Sequence, residues 1–182
     1  MTTVFHRQLF WLTILLSSCD GSLENIFPSP KTRFDSPFPK HNRNLTNILG
    51  DNLTIKSGTD TLELKISALK NYNLIINSKN NDTLFKGTVC KFRGLYYFSQ
   101  QLNDTSFWIY AVKLNDNLIY GIRTSWEQTM LVDKAIEKGN NKKLVKYITA
   151  DRIRLRTDKR DLTNLFSSII DSIAPYTILQ LK

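Results

Sequence analysis

From Leu53 to Arg123 the chain repeats one plan: short runs in which apolar and polar residues alternate, separated by small clusters of Asn, Asp and Gly. Leu62, Leu64 and Ile66 alternate with Glu63 and Lys65, the period-two pattern of a strand with one buried face. Leu53 and Ile55 do the same one segment earlier. Residues 72–76, 84–92, 95–99, 107–114 and 118–123 continue the series. The breaks are Gly58-Thr59-Asp60, Asn80-Asn81-Asp82, Asn103-Asp104 and Asn115-Asp116. Asn and Asp tolerate left-handed backbone and bond to their own main chain, so they close tight turns. Strands spaced this closely predict an antiparallel meander. The run Phe107-Trp108-Ile109-Tyr110-Ala111-Val112 is apolar at every position, which predicts a strand covered on both sides.

After residue 124 the period changes. Ser125-Trp126-Glu127-Gln128 fits a capping box, with Ser125 as N-cap and Gln128 reaching back, and predicts a helix over 126–138 that stops at Gly139. Leu162, Leu165, Phe166, Ile169, Ile170, Ile173 and Ala174 recur at intervals of three and one, the stripe of an amphipathic helix. Asp158 or Thr157 is placed to cap it, and Pro175 to end it. The expected fold class is therefore α+β: an antiparallel β-meander of about six to eight strands with two C-terminal amphipathic helices packed on it.

The N-terminal end has a different character. Arg7 precedes the apolar run Leu9–Leu16, and small residues follow it. A cationic start, a short apolar centre and small residues are the parts of a secretory signal. The run is far shorter than the about 20 residues that a membrane-crossing helix needs. Its end, Leu16-Ser17-Ser18-Cys19, resembles the lipobox of bacterial lipoproteins. The resemblance implies that residues 1–18 are removed and that the Cys19 thiol carries a diacylglycerol. It further implies a mature protein lipid-anchored to a membrane of the bacterial cell envelope. Should Cys19 stay unmodified, the alternative is a soluble secreted protein.

Residues 19–47 show no hydrophobic periodicity and hold Pro28, Pro30, Pro37 and Pro39. We read them as the lipidated cysteine followed by a spacer, with a coil-like span of roughly 30 Å. An ordered arm held by Phe27, Phe34 and Phe38 is the competing expectation. Residues 48–182 then form a single domain.

Composition narrows the chemistry. The two histidines are His6 in the leader and His41 in the spacer, so the expected domain has none. That removes the usual general base and the commonest metal ligand, and with them Ser-His-Asp, Cys-His and His-zinc chemistry. No phosphate-cradling glycine loop is present, and no cofactor is expected. Cys90 lies in a predicted strand between Val89 and Lys91, where a buried free thiol is expected. A carboxylate-dependent hydrolase is the surviving enzymatic alternative, but no pair of acids stands out by spacing. The aromatics Tyr96, Tyr97, Phe98, Phe107, Trp108, Tyr110 and Tyr120 suit a core better than a sugar-stacking platform.

The charge is uneven. The chain carries a net +9. Nine basic residues fall between Lys138 and Arg160, against Asp151 and Asp158. Arg152, Arg154 and Arg156 alternate with Ile153 and Leu155, so a strand there sets three guanidiniums in a row, roughly 7 Å apart. Guanidinium grips phosphate or carboxylate with two parallel bonds. The three arginines are the candidate anion-binding site, and a charged edge strand that resists pairing is the competing reading. The expected function is a non-catalytic binding or assembly module of the envelope. Its expected partners are the membrane through the anchor, and an anionic lipid, a glycan or another envelope protein. Nucleic acid is a poor partner for an exported, anchored chain.

Overall fold

The computed structural model describes residues 30–181. The leader, Cys19, Phe27 and Pro28 lie outside the described residues. In chain order the elements are β1 (Thr32–Phe34), α1 (Thr46–Leu49), β2 (Asn52–Ser57), β3 (Asp60–Ala68), β4 (Asn73–Asn77), β5 (Thr83–Phe92), β6 (Leu95–Asn103) and β7 (Ser106–Asn115). They continue with β8 (Leu118–Tyr120), α2 (Ser125–Glu137), β9 (Val145–Ile148), β10 (Ile153–Leu155), α3 (Lys159–Ile170) and β11 (Tyr176–Leu181).

β2 to β8 follow one another antiparallel, as the alternation predicts, but they do not form an open meander. β6 pairs with β7 on one side, and β11 slots between β8 and β2 on the other, so eight antiparallel strands close into a barrel. The expected α+β class, an open meander with two C-terminal helices packed on it, is thus overturned: the described fold is mostly β, built on a closed eight-stranded barrel. Among the described residues there are three α-helices, and the last element is the strand that completes the ring. Closure removes the two free edges that a meander of this length would expose. The turns are made as expected at Asn81 (φ 60°) and Asp116 (φ 51°).

Alternation then sorts the side chains. Leu53, Ile55, Leu64, Ile66, Ile75, Phe85, Phe98, Tyr110, Val112 and Ile119 share one buried cluster, the barrel interior, joined by Leu49 of α1 and its N-cap residue Leu45. Phe85, Phe98 and Tyr110 fill it with ring centroids 4.8 to 6.1 Å apart. Gly87 marks a close approach of β5 to β6: a Cβ there would sit 2.1 Å from the Ser99 carbonyl oxygen.

The opposite faces of β5, β6 and β7 form a second core under α2 and α3. It contains Phe38, Cys90, Tyr97, Ile109, Val132, Ile136, Leu155, Leu162, Phe166 and Ile170. The α3 stripe is buried as its spacing predicts, apart from Ala174, which is exposed. Asp158 caps the helix by accepting from the backbone N–H groups of Arg160 and Asp161 (2.9 and 3.0 Å). α2 departs from expectation. Thr124 is its N-cap and makes no side-chain cap bond. Gln128 reaches back only to the Thr124 hydroxyl (3.0 Å), not to a cap N–H, and its amide turns inward to the barrel wall.

The stretch read as a spacer belongs to the folded unit from Pro30 onward, so that unit begins well before residue 48. Phe34 and Phe38 are buried, and Phe38 stacks on Tyr97 at 3.9 Å with the rings 6° apart. The ordered-arm alternative describes this part of the chain. Residues 42–45 are pinned by Asn73, whose amide accepts from Leu45 N–H (2.7 Å) and donates to the Arg43 carbonyl (2.9 Å).

Candidate functional site

Three strands extend the sheet beyond the barrel. β1 lies beside the start of β7, with Phe34 opposite Phe107. β10 runs parallel to β1, and β9 forms the outer edge. Ile153 and Leu155 of β10, and Phe34 of β1, point into the helix-covered core. By alternation Arg154 and Arg33 take the opposite face. The register places Arg33 beside Arg154 and Arg154 beside Tyr147. The result is a ladder of Arg33, Arg154 and Tyr147 across three strands.

This face forms one wall of a cleft of about 410 Å³. The β6–β7 turn, with Asn103, Thr105 and Ser106, forms another. Five cations line it, namely Lys31, Arg33, Lys146, Arg152 and Arg154, and Asp151 is the one acid among the lining residues. Lys31 lies 3.5 Å from Glu137, and Lys146 lies 4.0 Å from Asp35. Among the described residues, Arg33, Arg152 and Arg154 have no carboxylate within salt-bridge distance.

Each arginine is held differently. Arg33 is half-buried. Its Nη1 donates to the carbonyls of Pro30 (2.8 Å) and Thr32 (2.7 Å), and its guanidinium lies 5.1 Å from the Trp108 ring centroid. Burial lowers its pKa; the charge of Asp133 opposes this, and that of Arg152 adds to it. Arg154 donates through Nη2 to the Thr105 carbonyl, which ties the strand to the turn across the cleft. Arg152 is exposed at the mouth. The Asp151 carboxylate accepts from Thr149 Oγ1 (2.8 Å), which holds its pKa below the ordinary carboxylate value; the nearby charges of Arg152 and Lys31 lower it further.

The candidate row of three is therefore two plus a newcomer. Arg152 and Arg154 converge on the cleft. Arg156 follows the end of β10, where its N–H donates to the Leu144 carbonyl (2.7 Å), and its side chain is not part of the lining. β10 also lies inside the sheet, so the outermost strand is β9. Arg33 and Lys31 went unread because they sit among prolines. The alternation of Thr32 and Phe34 with Arg33 was the available signal, and three residues are too few to show a period.

What positions Lys31 and Arg33 is Asp133 on α2. Its buried carboxylate accepts from Lys31 N–H (2.7 Å) and Thr32 N–H (2.9 Å). A buried anion that takes two main-chain donors fixes where the chain enters the sheet.

Other candidates have structural roles. Cys90 is buried, its Sγ lies 3.3 Å from the Lys40 carbonyl, and burial raises its pKa. Tyr97, Phe98 and Tyr110 are core residues. A shallower depression bounded by Asn44, Asp51, Lys65 and Ser67 carries one acid and one base. Among the described residues no group of three or more His, Cys, Asp and Glu could hold a metal ion, and no helix is long and apolar enough to cross a membrane. No protein-family model, curated protein or solved structure matches the chain.

Proposed function

We propose that this protein is a lipid-anchored binding module of the bacterial cell envelope that captures an anionic group in the cleft between the β6–β7 turn and β10. The observation that carries the reading is the convergence of Arg33, Arg152 and Arg154 on one concave site without carboxylate partners among the described residues. Like charges brought together in this way repel, and an incoming phosphate or carboxylate relieves that repulsion. The anchor half of the reading rests on Leu16-Ser17-Ser18-Cys19.

Two measurements test the two halves. Titration of inorganic phosphate is expected to give saturable binding to the wild type, weakened roughly tenfold by R152Q and again by R154Q. Equal binding by the double variant would remove the cleft from the account. Intact mass of natively produced protein is expected to show a chain starting at Cys19 with added acyl mass. A free thiol there would remove the anchor.

A further inference from the structure

The first described residue, Pro30, lines the cleft. Only ten residues, 20–29, separate it from Cys19. Such a segment spans about 40 Å at most when fully extended, and about 18 Å as a flexible coil. Had the spacer run to residue 47, the domain would stand clear of the bilayer. Because β1 and the arm are folded in, the leash is short and leaves the protein at the cleft itself.

The geometry points to the anionic headgroups of the anchoring bilayer as the occupant of the cleft. The lipid phosphate lies between Arg33, Arg152 and Arg154, and the protein docks cleft-down on its own membrane. This rests on the preceding reading, both in its acylated Cys19 and in its anion-binding cleft. Three further observations favour a membrane surface over a soluble anion. Lys146 joins the three arginines on the lining, and Lys142 and Lys143 are exposed on the neighbouring 3₁₀ turn, so positive charge extends past the cleft along one side. Polybasic surfaces of this kind are attracted to anionic leaflets over about a Debye length. Tyr147 lines the same cleft with 43% of its surface exposed, and amphipathic aromatic rings settle at headgroup level. Finally, the leash keeps the cleft within about 40 Å of the anchoring bilayer, which raises the effective concentration of its headgroups.

The test uses the natively acylated protein reconstituted in vesicles of phosphatidylcholine alone or mixed with phosphatidylglycerol. A fluorescent donor is placed by D104C in the β6–β7 turn beside the cleft, or by K91C near the other end of β6, with an acceptor on the lipid headgroups. Cys90 is buried and stays unlabelled. With phosphatidylglycerol present, energy transfer from position 104 is expected to exceed that from position 91. The preference is expected to vanish in phosphatidylcholine, in high salt, and in R152Q/R154Q. At about fivefold per cation, the double variant lowers the cleft-down population relative to the alternative by roughly 25-fold. The salt and lipid arms use the unaltered arginines, so they decide the matter even if the double variant folds poorly.

Equal transfer from both positions in anionic vesicles overturns the inference. If phosphate titration still shows a working site, the anion-binding reading survives that loss, and if phosphate fails as well, both fall. A cleft-down preference already complete in phosphatidylcholine also overturns it, because the leash alone then sets the orientation. A free Cys19 thiol removes the leash and the inference with it, whatever the phosphate result.

Discussion

Gln128 shows how a single side chain can repair a sheet. β7 pairs with β1 at Phe107 and with β8 from Lys113 to Asn115, which leaves a gap on that edge around Ala111. The Gln128 amide fills it. Its oxygen accepts from Ala111 N–H (2.8 Å), and its nitrogen donates to the carbonyls of Ala111 (2.8 Å) and Gly121 (3.3 Å). Gly121 (φ 83°) leaves the room, because a Cβ there would fall 2.2 Å from the Ala111 carbonyl oxygen and 2.8 Å from the Gln128 nitrogen. Q128L orphans both main-chain groups of Ala111, and urea denaturation is expected to show a loss of about 2–5 kcal/mol. Q128E keeps the acceptor but turns a carboxylate oxygen towards two carbonyls. Its pKa in the folded state is raised above the unfolded value, so the variant is expected to be least impaired below about pH 4 and to weaken as the pH rises. Cys90 follows the same linkage in the wild type. Burial raises its pKa, so above about pH 8.5 the unfolded thiol loses its proton while the native one keeps it. Stability is expected to fall with rising pH in that range, and C90A is expected to flatten that part of the curve. Of these features the sequence showed only that Cys90 was buried. The capping-box spacing pointed Gln128 the wrong way, because a local pattern carries no sign of a hole in a strand edge ten or more residues upstream.

At the scale of elements, β1 is three residues long and lies between β7 and β10. It persists because its ends are bonded on all sides. Ile153 N–H donates to the Lys31 carbonyl (3.1 Å), Asp35 N–H donates to the Leu155 carbonyl (3.0 Å), and Asp133 holds its entry. D133N turns an amide NH₂ towards one of the two buried N–H donors, and chemical denaturation is expected to show a loss of about 1.5–3 kcal/mol. Amide exchange is expected to quicken at residues 31–35 and 153–155 before it does in the barrel. G87A brings a methyl group against the Ser99 carbonyl oxygen at the β5–β6 crossing, and a thermal melt is expected to show destabilisation by about 1–3 kcal/mol. β2 to β7 and α3 were legible because each is long enough to show its own period, and the three-residue β8 was legible from the Asn115-Asp116 turn before it. β1 and β9 are three or four residues each and their hydrogen bonds come from distant partners, whereas β10 showed itself through the alternation of Ile153 and Leu155 with the arginines. β11 was missed for a related reason. Its bulge between Ile178 and Gln180 interrupts the alternation, and Leu179 and Leu181 are exposed.

For the molecule as a whole, closure depends on a late arrival. β11 must pair with β2, which lies more than a hundred residues earlier. Folds dominated by such distant pairings form in milliseconds to seconds. Stopped-flow refolding is expected to be slow, and I178A is expected to speed unfolding more than it slows folding, as fits a seam that seals after the nucleus. The cleft has a similar history. Arg152 and Arg154 stood out by their spacing, but Arg33 joins them only once the parallel β1–β10 register exists. A surface site assembled from two ends of the chain cannot be read from either end alone.

That register also governs how the molecule bears load. Tension passed along the chain to β1 meets an interior strand clasped from both flanks, with the Asp133 carboxylate at its entry. A strand at a free border would peel one bond at a time, whereas this one has to slide against all its partners together. Under the proposed lipid anchor, the pull of a fluctuating bilayer would thus fall where the molecule resists best.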